Sequence, residues 1–67
     1  MTPRRLATVL KELREKSRLT QEQLAKRAKV ARGYLAKLEA GHSKNPSIDA
    51  LRRIAKALGV PVTELLE

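Results

Sequence analysis

Between Val30 and Gly41 the chain reads VARGYLAKLEAG. Arg32 and Lys37 are cations, and Gly33 and Ala36 between them carry almost no side chain. A guanidinium offers a planar fork of N–H donors that matches the O6/N7 edge of guanine, and a lysine supplies a point charge for a base or a phosphate. Ala36 can touch a thymine methyl. Gly33 costs a helix about 1 kcal/mol relative to alanine. That cost suits a helix whose backbone must come close to something, and a major groove about 12 Å wide is such a slot. The arrangement points to recognition of double-stranded DNA, with Arg32, Gly33, Ala36 and Lys37 as the base-reading positions.

Reaction chemistry is absent by comparison. There is no cysteine, so a disulfide framework and a thiolate metal site are both excluded, and the single histidine, His42, reads as a loop residue near phosphate. Glu12 and Glu15 stand three apart and read as a solvated helix face. No Ser/His/acid set, nucleophile elbow or phosphate-cradling glycine loop occurs. The chain is not expected to be an enzyme, and no cofactor is implied.

The charge balance agrees with a polyanionic partner. Fifteen Lys and Arg oppose seven Asp and Glu, a formal net charge of +8. From Lys26 to Lys44 the basic residues are Lys26, Arg27, Lys29, Arg32, Lys37 and Lys44, and Glu39 is the only acid. The opening MTPRRLATVLKELREK lacks the continuous apolar segment of a secretory signal. No stretch approaches the ~18 apolar residues of a membrane span. The expected location is the cytoplasm, on the nucleoid when bound to DNA, with no membrane partner.

Apolar periodicity supplies the elements that must position these residues. The 67 residues are expected to form one domain, 1–67, and 42% of them are hydrophobic, enough for one core. With Tyr34 the only aromatic, that core is aliphatic. Leu6, Val9, Leu10 and Leu13 recur on one helical face over about Pro3 to Ser17. Thr20 and Gln23 form a capping box that opens a helix over about 21–28, with Leu24, Ala25 and Ala28 inward. A short turn leads to a helix over about 32–39 that faces Leu35 and Leu38 inward, with Gly41 at its end. Two short helices so joined are a helix-turn-helix signature. Pro46 and Ser47 then open a fourth helix with Ile48, Leu51, Ile54, Ala55 and Leu58 inward, ended by Gly59. VPVTELLE gives a short fifth helix with Val62, Leu65 and Leu66 apolar.

LTQEQLAKRAKVARGYLAKLEAG, followed by NPSIDALRRIAKALGVPVTELL, resembles the Cro/CI-type, or XRE-like, helix-turn-helix family of bacterial and phage regulators. The likeness covers about Leu13 to Leu66 and rests on the Thr20-Gln21 opening, Leu24-Ala25, Leu38-Glu39, Gly41, Pro46 and IAKALGV. It implies an all-α, compact five-helix bundle, a lambda-repressor-like DNA-binding domain with helix 3 as recognition helix. It further implies phosphate contacts from Thr20 and Gln21, a backbone or groove-edge contact from Tyr34, and a phosphate grip from Lys44 and Asn45. Arg32, Gly33 and Lys37 match its base-reading positions, and Arg14 and Glu39 match a structural ion pair between helices 1 and 3. That pair also follows from the residues themselves, since Arg14 and Glu39 border the apolar faces of their helices. Two departures stand out. Ala31 occupies the position where the family often has a capping Ser or Thr, and Lys29 stands where it often has glycine.

The sequence thus reads as a sequence-specific transcriptional regulator, a repressor. One small module reads few base pairs, so a homodimer on an inverted repeat is expected, with Val60, Pro61, Val62 and Leu66 as the dimer patch. The alternative is an antitoxin or other protein-interaction module that binds DNA only with a partner such as a toxin.

Overall fold

The computed structural model describes residues 3–43 and 45–66, and these form five helices: α1 (Pro3–Lys16), α2 (Gln21–Ala28), α3 (Arg32–Glu39), α4 (Ile48–Leu58) and α5 (Thr63–Leu66). Each helix is amphipathic, and the buried faces meet in one aliphatic core. Leu6 and Leu10 enter it from α1, Leu24 from α2, Leu35 and Leu38 from α3, Leu51 and Ile54 from α4, and Leu65 from α5. Small residues let the helices approach: Ala25 and Ala28 on α2 and Ala50 and Ala55 on α4 are all buried. Helix α2 packs mainly on α4 and α3, while α1 packs on α3 and α5.

Helices α1 to α4 stop by one repeated device. Arg18, Lys29, Gly41 and Gly59 have positive φ values of 58°, 58°, 76° and 73°. The residue after each donates its N–H to the carbonyl five positions back: Leu19 to Arg14, Val30 to Ala25, His42 to Lys37 and Val60 to Ala55, at 3.0–3.2 Å. This ring closes otherwise unpaired terminal carbonyls, and it favours an apolar residue just after the left-handed one. Leu19 is buried, and Val30 and Val60 pack partly against the core.

One expectation is corrected. Ile48 was expected inward but is 47% exposed, the one exposed large hydrophobic among the described residues. At about 100° per residue it lies well away from the centre of the arc formed by Ala50, Leu51, Ile54 and Ala55. The residues expected as a dimer patch divide between core and surface. Val60, Val62 and Leu66 pack partly on the core, and only Pro61 is exposed.

One polar junction is set among these apolar contacts. Arg14 Nε donates to Glu39 Oε2 at 2.6 Å, and its Nη2 donates to Oε1 at 3.0 Å. Arg14 Nη1 donates to the Leu19 carbonyl at 2.7 Å. Gln21 Nε2 adds a bond to Glu39 Oε1 at 3.1 Å. The Arg14 and Glu39 side chains are only 12% and 4% exposed. Hydrogen bonding to Glu39 holds the Arg14 guanidinium above its ordinary pKa, against the opposing effect of burial. Removing one partner of a buried pair strands the other charge and costs about 3 kcal/mol or more. Glu39→Ala should therefore lower Tm by roughly 12 °C or more for a domain of this size. Thermal unfolding followed by circular dichroism checks this, and an unchanged Tm contradicts it.

Candidate nucleic-acid interface

The start of α2 is fixed by reciprocal capping. Gln23 donates its backbone N–H to Thr20 Oγ1 at 3.0 Å, and Thr20 donates its own to Gln23 Oε1 at 2.9 Å. The N–H groups of Gln21 and Glu22 have no carbonyl one turn back to receive them, so the helix start presents donors and positive partial charge. The Gln21 side chain is not wholly available, because its amide nitrogen is bonded to Glu39. That bond seats the start of α2 beside the end of α3. Lys11, Gln21, Ala36 and Ala40 line a shallow hollow there, together with Arg14 and Glu39. Lys11 was not among the sequence-derived candidates, because periodicity alone places it on the outer face of α1.

The turn between α2 and α3 is Lys29–Ala31. Lys29 takes the left-handed conformation, at φ 58° and ψ 43°. Its carbonyl accepts a bond from Arg53 Nη1 at 3.1 Å, and Arg53 Nη2 also lies 3.1 Å from Asp49 Oδ2. Helix α4 thus reaches back to the turn that sets the angle of α3. Sequence reasoning missed this contact; the Asp49/Arg53 spacing of four residues is its only local signal.

Helix α3 buries Leu35 and Leu38 and leaves Arg32, Gly33 and Lys37 exposed, with Ala36 half-buried. Ala31 provides no side-chain cap. A Cβ placed on Gly33 meets no atom within 4 Å. Nothing inside the domain therefore requires glycine there. Tyr34 is half-buried, and its hydroxyl oxygen accepts the Ser47 N–H at 3.0 Å. The bond ties α3 to the start of α4, where Ser47 Oγ caps Ala50 N–H at 3.3 Å. The hydroxyl proton of Tyr34 is left to donate outward. Asn45 is exposed next to this junction, and Lys44 lies outside the described residues.

Arg32, Gly33, Ala36 and Lys37 therefore occupy one outward side of α3. The start of α2 stands near its C-terminal half, and Tyr34 with Ser47 near its other flank. No helix of the described residues is long and apolar enough to cross a membrane.

The family described as Helix-turn-helix matches residues 10–65. The chain belongs to that family. It is 40% identical over 57 residues to the immunity repressor protein of Bacillus phage phi105, covering 85% of this chain and 39% of the repressor. The crystal structure of the restriction-modification controller protein C.AhdI from Aeromonas hydrophila superposes with a TM-score of 0.89 at 32% identity, covering 94% of each chain. SinR, a master regulator for biofilm formation solved in complex with DNA, gives a TM-score of 0.88 at 32% identity, over 92% of this chain and 98% of SinR. The chain spans 39% to 48% of the length of three curated relatives that it matches.

The strained turn yields a direct test. An L-residue held left-handed costs roughly 1–2 kcal/mol. Lys29→Gly should raise stability by about 1 kcal/mol, or roughly 4–8 °C in Tm. A lower Tm would show that the lysine side chain contributes more than its backbone costs.

Proposed function

We infer that the chain is a DNA-binding transcriptional regulator, a repressor, that reads the major groove of a duplex with α3. The observation that carries this reading is the bare outward side of α3. Gly33 is exposed and uncrowded, so the position forgoes helix stability without any internal need for glycine. Cations at Arg32 and Lys37 flank it. A helix approaching base edges needs that combination: a low profile in the middle and donors at the margins. The DNA-bound state of SinR and the repressor role named for the phage relative support the same reading.

In this reading α2 crosses the backbone and directs its first N–H groups, at Gln21 and Glu22, at a phosphate. Thr20 stays the cap that holds them. Tyr34 donates its hydroxyl proton to a phosphate while accepting from Ser47. Asn45 grips the backbone on the same flank, and the Lys44 cation, outside the described residues, adds a phosphate contact. Arg32 takes a guanine edge and Lys37 a second base or a phosphate, while Ala36 meets a thymine methyl. Gly33 contributes no side chain, so part of the selectivity comes from DNA shape and deformability. Two copies related by a two-fold axis would read an inverted repeat, with half-sites about 10 base pairs apart. A DNA-binding role implies work at the nucleoid, in the cytoplasm.

Selection of bound duplexes from a random pool at moderate salt tests the function. Two related half-sites about one helical turn apart are expected; no enrichment despite low-salt binding overturns sequence-specific regulation. Gly33→Ala separates fold from function. It should stabilise the domain by about 0.5–1 kcal/mol while weakening operator binding. Tighter or unchanged binding would show that α3 does not approach DNA closely there. Arg32→Ala should cost about 1–3 kcal/mol and relax preference at one base pair. Uniform weakening across all sequences would reassign Arg32 to a phosphate.

A further inference from the structure

A second cationic feature lies to the side of α3. Arg27, Lys29, Arg53 and Lys56 line one hollow where the end of α2 meets α4, with Ala28 and Ala57 completing the wall. Its volume is about 340 Å³. No carboxylate residue is among the residues that line it. Arg53 is held by the Lys29 carbonyl and by Asp49. Arg27, Lys29 and Lys56 have no ion pair among the described residues.

This is not the general state of the surface. The larger hollow between α1 and the end of α3 sets Arg4 and Lys11 against Glu12, Glu15 and Glu39. Unneutralised like charges gathered in one concavity repel one another, and such a concavity focuses positive potential outward. A polyanion relieves the repulsion. The hollow is also continuous with the candidate interface. Lys29 and Arg53 line the adjoining depression as well, together with Ala31, Tyr34 and Ser47. A strand leaving the α3 side therefore meets this hollow next.

We propose that the hollow formed by Arg27, Lys29, Arg53 and Lys56 binds the sugar-phosphate backbone of the same duplex, beyond the base pairs that α3 reads. The inference rests on the DNA-binding reading above. Arg27 and Lys56 donate to phosphate oxygens, Lys29 adds charge, and Arg53 is the fixed edge of the site. The domain is 24 Å in its longest dimension, which at ~3.4 Å per base pair spans about 7 base pairs. DNA beyond that span must curve toward α4 to reach the hollow, and the added phosphate contacts offset the cost of the bend.

The test compares wild type with the Arg27→Ala/Lys56→Ala double variant on two mixed-sequence duplexes. One is ~10 base pairs, about one helical turn, and the other ~30 base pairs. Fluorescence anisotropy gives affinity over a salt series, and circular dichroism verifies that both proteins are folded; Arg27→Gln/Lys56→Gln replaces the variant if it is not. Each neutralised phosphate contributes about 0.9 to the slope of log K against log salt. The double variant should therefore lose about 1.8 of slope on the long duplex and little on the short one. Equal losses on both duplexes, or none, overturn the proposal. So does a wild-type stoichiometry of two short duplexes per domain that the variant reduces to one, since the hollow then takes a separate duplex. Wild type that binds neither duplex overturns the DNA-binding reading along with this one.

Discussion

The contact between Arg14 and Glu39 fixes more of this domain than any other polar interaction among the described residues. Two N–H groups of one guanidinium engage both oxygens of one carboxylate, and a third donates to the Leu19 carbonyl. The same carboxylate receives the Gln21 amide. Helix α1, the end of α3, the segment before α2 and the first residue of α2 are thereby registered to one another at a single buried point. Apolar packing alone tolerates small sliding and rotation, because it has no direction. A bidentate ion pair has a direction, and an error in it leaves a desolvated charge. The distance and angle between α2 and α3 inherit that precision, and so does any surface the two helices present together.

Stability is distributed unevenly around this point. Helix α2 has a full capping box, and α4 has a serine cap. Helix α3 has neither, begins after Ala31 and carries Gly33 in its first turn. It is held from outside instead, by Leu35 and Leu38 in the core, by Glu39 at its end and by the Tyr34 hydroxyl at Ser47. Helix α3, with little local support, is thus restrained by its neighbours. That division frees its outer positions to be chosen for a ligand, because none of them is needed to keep the helix formed.

Much of this was legible in the chain. Leucine and alanine spacing identified the helices and most of the core, and the Thr20/Gln23 pair identified the start of α2, because both signals are local. Arg14 and Glu39 could be matched because each borders an apolar stripe. What could not be read depends on distance or on backbone state. Arg18 in a left-handed conformation has no residue-type signal, unlike Gly41 and Gly59. The Tyr34–Ser47 and Arg53–Lys29 bonds join residues 13 and 24 positions apart, which periodicity does not see. Ile48 was misassigned because an apolar residue at the edge of a helix's inner arc satisfies the pattern without being buried. On the outer side of α3 the residue types were plain from the sequence, but that Gly33 meets no other part of the domain required coordinates.

Tyr34 has a further consequence, an optical one. The chain has no tryptophan and no other tyrosine, so all of its near-ultraviolet emission comes from this one ring. That ring is half-buried on α3 and its oxygen is bonded to the first residue before α4. The emission therefore reports on a single, known junction without any added label. Its intensity is sensitive to the surroundings of that ring and to the bond at Ser47, a local signal unlike the helix content that circular dichroism averages over the whole chain.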